Sequence, residues 1–468
     1  MVMETIGRVA PIAGAATLAV ALAACNGSPP ERAQAPTTAD LIWESVELTV
    51  GSAPQQRFAG FGFSFEQDNP YPQLSETQKA EVDRLLFQDL DARIVRLWYG
   101  PGDPEPVRDI FQAGGVIDHA RRAGVEVLLL GPWRYLGDPD EHARAIADDI
   151  RIMRAQYGIP IAATGVINEP GASGANNLPV EHYVPLAVAM RRELDRAGLG
   201  DVTVLGPEFA SADHVAVKWF DTVAADPAAL DAVDALATHS YNMAANRGLA
   251  ERALRHDKQY WMTEAGGGHQ DGSAEFDYAF GASASSRFLN DLNNGVTHWV
   301  WFIGLGEGTG DVYQKLVMCE GRCAGTGRIY QNYSYHHVQQ ITSGFPPGTV
   351  LRHVTSDLSD FPDMVWTYGP KPPFHAAAGL RPDGRWVLAA VNHTRGGGGQ
   401  HSSFEAPANY RVSFVVPELA DRESLAFELC RTNPEVAMQC GETVTLTNGR
   451  ATLDVTHLEL ITLVARDP

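Results

Sequence analysis

Between residues 56 and 343, short and nearly continuous apolar runs alternate with longer segments whose apolar residues recur at helical spacing. The runs cover residues 58–65, 94–98, 125–133, 162–168, 202–208, 235–241, 260–264 and 297–303. A strand that alternates apolar with polar residues is buried on one face. A strand that is apolar throughout is buried on both, as in a parallel sheet covered by helices. The intervening segments carry helix signals. Ser75 reads as an N-cap, and the apolar residues after it fall on one face. The segment from His182 to Ala197 repeats that amphipathic period and stops at Gly198. Strand–helix units repeated over residues 56–343 predict an α/β fold, a (β/α)8 TIM barrel, rather than an open doubly wound sheet.

Past Ser343 the period changes. Phe345-Pro346-Pro347-Gly348 ends the last helical segment, and short strand-like stretches punctuated by turns follow at 349–355, 364–368, 386–392, 410–416, 425–429, 443–446 and 451–464. No helix-period face interrupts them. Residues 344–468 are therefore expected to form an accompanying C-terminal antiparallel β-sandwich. Residues 42–50 alternate like a strand ahead of the barrel, and the segment 42–55 is expected to join that sandwich.

Composition removes some partners and adds a location. With 57 acidic against 36 basic residues, the formal charge is −21. Such a surface disfavours a nucleic-acid partner, which needs basic residues against its phosphates. Residues 1–25 read as a signal peptide: Ala10 to Ala24 is apolar and rich in small residues, too short for a mature membrane span. It ends in Leu22-Ala23-Ala24-Cys25, which resembles the bacterial lipoprotein cleavage box. That resemblance implies a lipid on Cys25 and an address in the bacterial cell envelope, held to a membrane only through this anchor. The basic region before it is weak, Arg8 being offset by Glu4, so simple secretion is the other reading. Residues 26–41 have the composition of a flexible tether. The other cysteines form two close pairs, and Cys319–Cys323 with Cys430–Cys440 is the simplest pairing for an oxidising compartment. Zinc is the rival, but no histidine pair stands near Cys319 and Cys323. A monomer is expected.

The chemistry sits at the ends of the runs. Ile167-Asn168-Glu169-Pro170 and Trp261-Met262-Thr263-Glu264 each place one carboxylate where a buried strand exits, and Glu264 is followed by Ala265 and three glycines. Two glutamates on the C-terminal rims of different parallel strands can face one another across a pocket. One would protonate a leaving oxygen and the other attack a sugar carbon. Taken singly, each glutamate also has a bland reading, a solvated loop exit for Glu169 and a salt-bridged core charge for Glu264. An ionised Glu264 near Glu169 would raise the latter's pKa by like-charge repulsion. Arg96, a cation inside an apolar run, must find a carboxylate if buried, and Glu264 is the expected partner. Tyr241 is expected to hydrogen-bond the nucleophile, and His239 to contact substrate or stabilise the rim. Asn168 would donate to a sugar 2-hydroxyl. Trp301 or Trp133 would offer a floor to a sugar face, and the run from Phe61 to Glu66, Phe63 included, would line the same pocket. No cofactor or metal is called for.

These segments together, Phe61 to Phe65, Asn168-Glu169-Pro170, Thr238-His239-Ser240-Tyr241, Trp261 to Glu264 and Trp299-Val300-Trp301, resemble the large clan of retaining (β/α)8 glycoside hydrolases. Within it the chain looks most like glycoside hydrolase family 30, whose members add a β-sandwich beside the barrel. The resemblance implies Glu169 as acid/base, Glu264 as nucleophile and Asn168 as the 2-hydroxyl contact, in hydrolysis of β-linked oligo- or polysaccharides. It departs from the family at Phe63, where a second glycine is usual, and over residues 303–310. A non-catalytic cell-surface carbohydrate-binding lipoprotein is the alternative. A phosphate-handling barrel is disfavoured by Glu307 and Asp311 in the glycine-rich stretch after the last run.

Overall fold

A computed structural model of the chain describes residues 41–171, 178–241, 244–266, 274–308, 315–320, 323, 327–358, 374–394 and 406–468. Cys25 with the cleavage box, the tether up to residue 40 and the strand expected at 364–368 lie outside the described residues. Strand β1 (Trp43–Arg57) is followed by eight parallel strands: β2 (Gly60–Phe65), β3 (Ile94–Tyr99), β4 (Val127–Pro132), β5 (Ala163–Gly165), β6 (Thr203–Phe209), β7 (Ala235–His239), β8 (Gln259–Ala265) and β9 (His298–Trp301). They pair in chain order, and β9 closes on β2, giving the expected (β/α)8 barrel. The helices begin where the local chemistry permits. Ser75 caps Glu76–Asp83 in a reciprocal capping box with Gln78, and Asp138, Asp213 and Asn246 accept from the first free N–H groups of their helices.

Alternation along the strands sorts side chains into two sets. Ile94, Leu129, Ala163, Leu205, Ala235, Ala237, Trp261 and Val300 pack together inside the barrel. Their neighbours in sequence, such as Val95, Leu128, Val204, Leu236, Tyr260 and Trp299, join the larger core under the helices.

A short three-stranded sheet follows, β10 (Leu305–Glu307), β11 (Val317–Cys319) and β12 (Ile329–Gln331), which the sequence reading lacks. The remaining strands are β13 (Val350–Ser356), β14 (Phe374–Leu380), β15 (Trp386–Asn392), β16 (Asn409–Val415), β17 (Ser424–Thr432), β18 (Gln439–Thr447), β19 (Arg450–Val455) and β20 (Leu460–Ala465). With β1 they form one closed nine-stranded sheet, antiparallel except where β1 runs parallel to β16. The single strand expected at 451–464 is two strands. The chain turns between them at Thr456, whose N–H donates to Glu459 at 2.6 Å, and at Leu458, which adopts a left-handed φ of 55°.

This sheet encloses its own core and also packs on the barrel, since Leu351, Ala377, Val387, Ala389, Val391 and Leu460 belong to the core under the barrel helices. Gln340, on the helix Tyr333–Gly344, donates to the carbonyls of Cys430 and Leu460 across the junction. The bridges Cys319–Cys323 and Cys430–Cys440 are both present. Among the described residues no helix is long and apolar enough to cross a membrane.

Candidate active site

Strict alternation would turn several key side chains away from the pocket, and local breaks in the strands bring them in. Along β8, Trp261 points inward and Met262 outward. The pairing register then shifts between β7 and β8 after Thr238 and Met262, and between β8 and β9 after Met262. A bulge of this kind re-aims the side chain that follows, and Glu264 enters the pocket. Glu169 and Glu208 reach it by another device, left-handed backbone at φ 47° and 53°. Such a conformation costs a non-glycine residue about 1–3 kcal/mol and persists only where surrounding contacts fix it. Here the N–H of Asn168 donates to the Pro132 carbonyl at 2.8 Å and that of Glu169 to the Glu208 carbonyl at 3.1 Å.

The groups so placed meet. A carboxylate oxygen of Glu169, one of Glu264 and a ring nitrogen of His239 all lie within 4.8 Å of one another. Arg96, fully buried on β3, donates to Glu264 Oε2 at 2.5 Å and to Asn168 Oδ1 at 2.7 Å, and stands 3.6 Å from Glu208. Burial alone would lower the pKa of this guanidinium. Glu264 and Glu208 more than offset that and hold its pKa above the usual value. The Tyr241 hydroxyl donates to the other oxygen of Glu264. His239 Nδ1 lies 2.8 Å from Glu169 Oε1, and burial lowers the histidine's pKa, keeping the ring neutral at neutral pH. Burial is also the first cause of the raised pKa of Glu169, with Arg96 acting weakly the other way. The rise expected from repulsion by Glu264 comes instead from desolvation. By spacing alone, Glu169, His239 and Glu264 could reach one cation. Arg96 and Tyr241 already engage both oxygens of Glu264, and a buried guanidinium 2.5 Å away opposes a second positive charge.

Thus Arg96, Asn168, Glu169, His239, Tyr241 and Glu264 converge. His239 is buried against the Glu169 carboxyl, so it bears on that group rather than on a ligand. Asn168 spends its amide oxygen on Arg96, which leaves its side-chain N–H groups as the donors of that residue. Trp133 stands at the rim after β4, 39 % exposed, with the Arg134 guanidinium 5.7 Å from its ring.

Phe63 and Trp301 do not line the pocket. Phe63 is buried against Phe87 on the helix side at 5.3 Å. Trp301 is buried under the helices, edge-on to Phe280 at 6.2 Å. Val300 points inward, so the residue one past Trp301 does too. Phe302, half-buried, sits 5.8 Å from Trp98 and 6.3 Å from Tyr241. Trp98 in turn lies over Arg96 at 5.4 Å. Phe302 and Trp98 are the aromatic residues of this mouth that the sequence reading missed, and counting by twos from Val300 and Arg96 would have found them. Glu66 stands just past the end of the first barrel strand, β2. It borders a polar cavity of about 310 Å³ with Asp68, Asn69, Glu307 and Lys315, and burial, then Asp68, push its pKa up to about 7.

No family model matches the chain, and no curated protein matches it. Solved structures share its fold. The catalytic domain of GH30 xylanase C from Talaromyces cellulolyticus superposes with a TM-score of 0.65 at 16% identity, over 90% of this chain and 99% of that one. A GH30 endoxylanase from Clostridium papyrosolvens C71 gives 0.63 at 17%, over 90% and 100%. The GH51 arabinofuranosidase from Xanthomonas axonopodis pv. citri gives 0.59 at 13%, over 90% and 100%. The resemblance to family 30 therefore extends to the whole architecture of barrel and β domain. At such identities it speaks for the fold.

Proposed function

We propose that this chain is a retaining glycoside hydrolase acting on β-linked oligo- or polysaccharides. Glu264 attacks the anomeric carbon while Glu169 gives its proton to the leaving oxygen, and Glu169 then takes a proton from the water that releases the sugar from Glu264. The observation that carries this reading is the separation of the two carboxyl groups, with oxygens within 4.8 Å. Retaining enzymes hold theirs about 5–5.5 Å apart, whereas inverting enzymes need about 6.5–9.5 Å to admit a water. The surroundings support the division of labour. Arg96 and Tyr241 hold both oxygens of Glu264 in place by hydrogen bonds, and burial raises the pKa of Glu169. Trp98, Phe302 and Trp133 supply apolar faces for sugar rings at the mouth. The xylanases and the arabinofuranosidase of like fold act on different sugars, so the substrate is read at the level of class. The two disulfides favour a compartment outside the cytoplasm, in keeping with an envelope-anchored or secreted protein.

The test is a screen of β-linked polysaccharides and aryl β-glycosides with the wild-type chain beside Glu264→Gln. The product anomer is followed by proton NMR during the first turnovers. The β-anomer released first, with no release by the variant, is the expected outcome. An α-anomer from the wild type, or equal activity in the variant, would overturn the assignment.

A further inference from the structure

Glu208 is a carboxylate that the double displacement does not use. It sits at the inward end of β6, wholly buried, in a left-handed backbone conformation. The space it occupies exists because residue 165 is glycine: a Cβ there would fall 1.6 Å from Glu208 Oε2. Thr263 and His239 also face it, and the phenol ring of Tyr183 lies behind the strand, close to Gly206. Burial pushes the pKa of Glu208 up, and Arg96, at 3.6 Å, is the first of the groups that act against that rise. Arg96 thus pairs with two carboxylates, Glu264 through Nη1 and Glu208 through Nη2.

This inference rests on the reading of Glu264 as nucleophile, because that reaction moves charge. When a Glu264 oxygen bonds the anomeric carbon, the bond to the leaving oxygen breaks and the proton of Glu169 goes to that oxygen. Negative charge passes from Glu264, now a neutral ester, to Glu169. Arg96 loses the partner it held at 2.5 Å and would be left a buried cation with its nearest counterion gone. Its other ion-pair partner is unchanged by the reaction. We infer that Glu208 is a positioning residue, a second counterion that keeps Arg96 charged and in place while Glu264 carries the sugar. Removing its charge raises the energy of the covalent intermediate relative to the free enzyme, so formation of that intermediate slows and its breakdown does not.

The experiment compares wild type with Glu208→Gln, an isosteric change that removes the charge alone. Each is treated with 2,4-dinitrophenyl 2-deoxy-2-fluoro-β-glycosides of the gluco, galacto and xylo series, which trap glycosyl-enzymes. Labelling is timed by intact-mass spectrometry, reactivation by an added sugar acceptor is timed afterwards, and Tm is measured for both proteins. The expected result is labelling slower by about tenfold or more in the variant, reactivation no slower than in wild type, and Tm unchanged or raised. Equal labelling rates would overturn the inference while leaving the nucleophile in place. So would a lowered Tm with both steps slowed alike, which is what a packing role produces. Failure of the wild-type chain to take any label would remove the glycosidase reading and this inference with it.

Discussion

On the β8 side of the pocket Glu264 meets a guanidinium at 2.5 Å and a phenol hydroxyl, both donors. On the side of the loop after β5, Glu169 meets the ring of His239 at 2.8 Å, and that ring is kept neutral by burial. The two carboxyl groups are close neighbours, so distance does not separate their roles. Partners do. Glu264 takes hydrogen bonds from a guanidinium and a phenol, whereas burial raises the pKa of Glu169 beside a neutral imidazole. On the proposed mechanism the same side-chain type serves as nucleophile on one wall and as acid on the other.

The comparison breaks most sharply at Glu264. Glu264→Gln keeps the shape and removes the anion, and kcat should fall by about 10⁴-fold or more on every substrate, activated or not. Glu169→Ala should behave differently. On natural substrates, whose leaving groups need the proton, the loss should be about 10²–10⁴-fold. On dinitrophenyl glycosides, which depart without help, the first step should be spared and the slow step become release of the sugar. Equal losses on both substrate types would mean that Glu169 is not the acid. The sign of the pH dependence follows. Burial raises the pKa of Glu169 above its usual 4.5, and the acid works only while protonated, so kcat/KM should fall as pH rises through that elevated value. In Glu169→Ala this alkaline limb should vanish from a kcat/KM profile. Tyr241→Phe touches the other wall. It removes one of the donors on Glu264 and should cost about 10–100-fold, the worth of one hydrogen bond to a charged group, on both substrate classes alike.

Much of this was legible along the chain for one physical reason. Strands buried on both faces are apolar throughout, so an arginine within such a run or a glutamate at its end stands out, as Arg96, Glu169 and Glu264 do. The same double burial erases the alternation that tells inside from outside. Nothing in Phe61-Gly62-Phe63-Ser64-Phe65 or Trp299-Val300-Trp301 marks which residues face the axis, and both Phe63 and Trp301 prove to face the helices. Glu208 carries the same signature as Glu264, a carboxylate closing an apolar run, yet its inward turn depends on a backbone break and on Gly165, which no spacing announces. In the second domain β14 escaped notice because Ala376-Ala377-Ala378-Gly379 lacks the β-branched and aromatic residues that mark strands. Its small side chains instead let the sheet approach the barrel's helices, and Ala377 lies in their core.

The aromatic pair at the end of β9 sharpens the distinction between the two faces of a strand. Trp301 packs under the helices against Phe280 and Trp299, and its neighbour Phe302 faces Trp98 and Tyr241 at the mouth. Trp301→Ala should therefore cost about 3–5 kcal/mol of stability through the cavity it leaves, seen as a lower midpoint in urea unfolding, with KM little changed in the protein that remains folded. Phe302→Ala removes a half-buried ring, so its stability loss should be the smaller of the two. It should raise KM by about 10-fold, the contribution of one stacked aromatic face, and leave the kcat on dinitrophenyl glycosides within a few-fold. If Trp301→Ala raised KM while Phe302→Ala did not, the assignment of inward and outward residues on β9 would be reversed, and Phe302 would lose its claim to the sugar face.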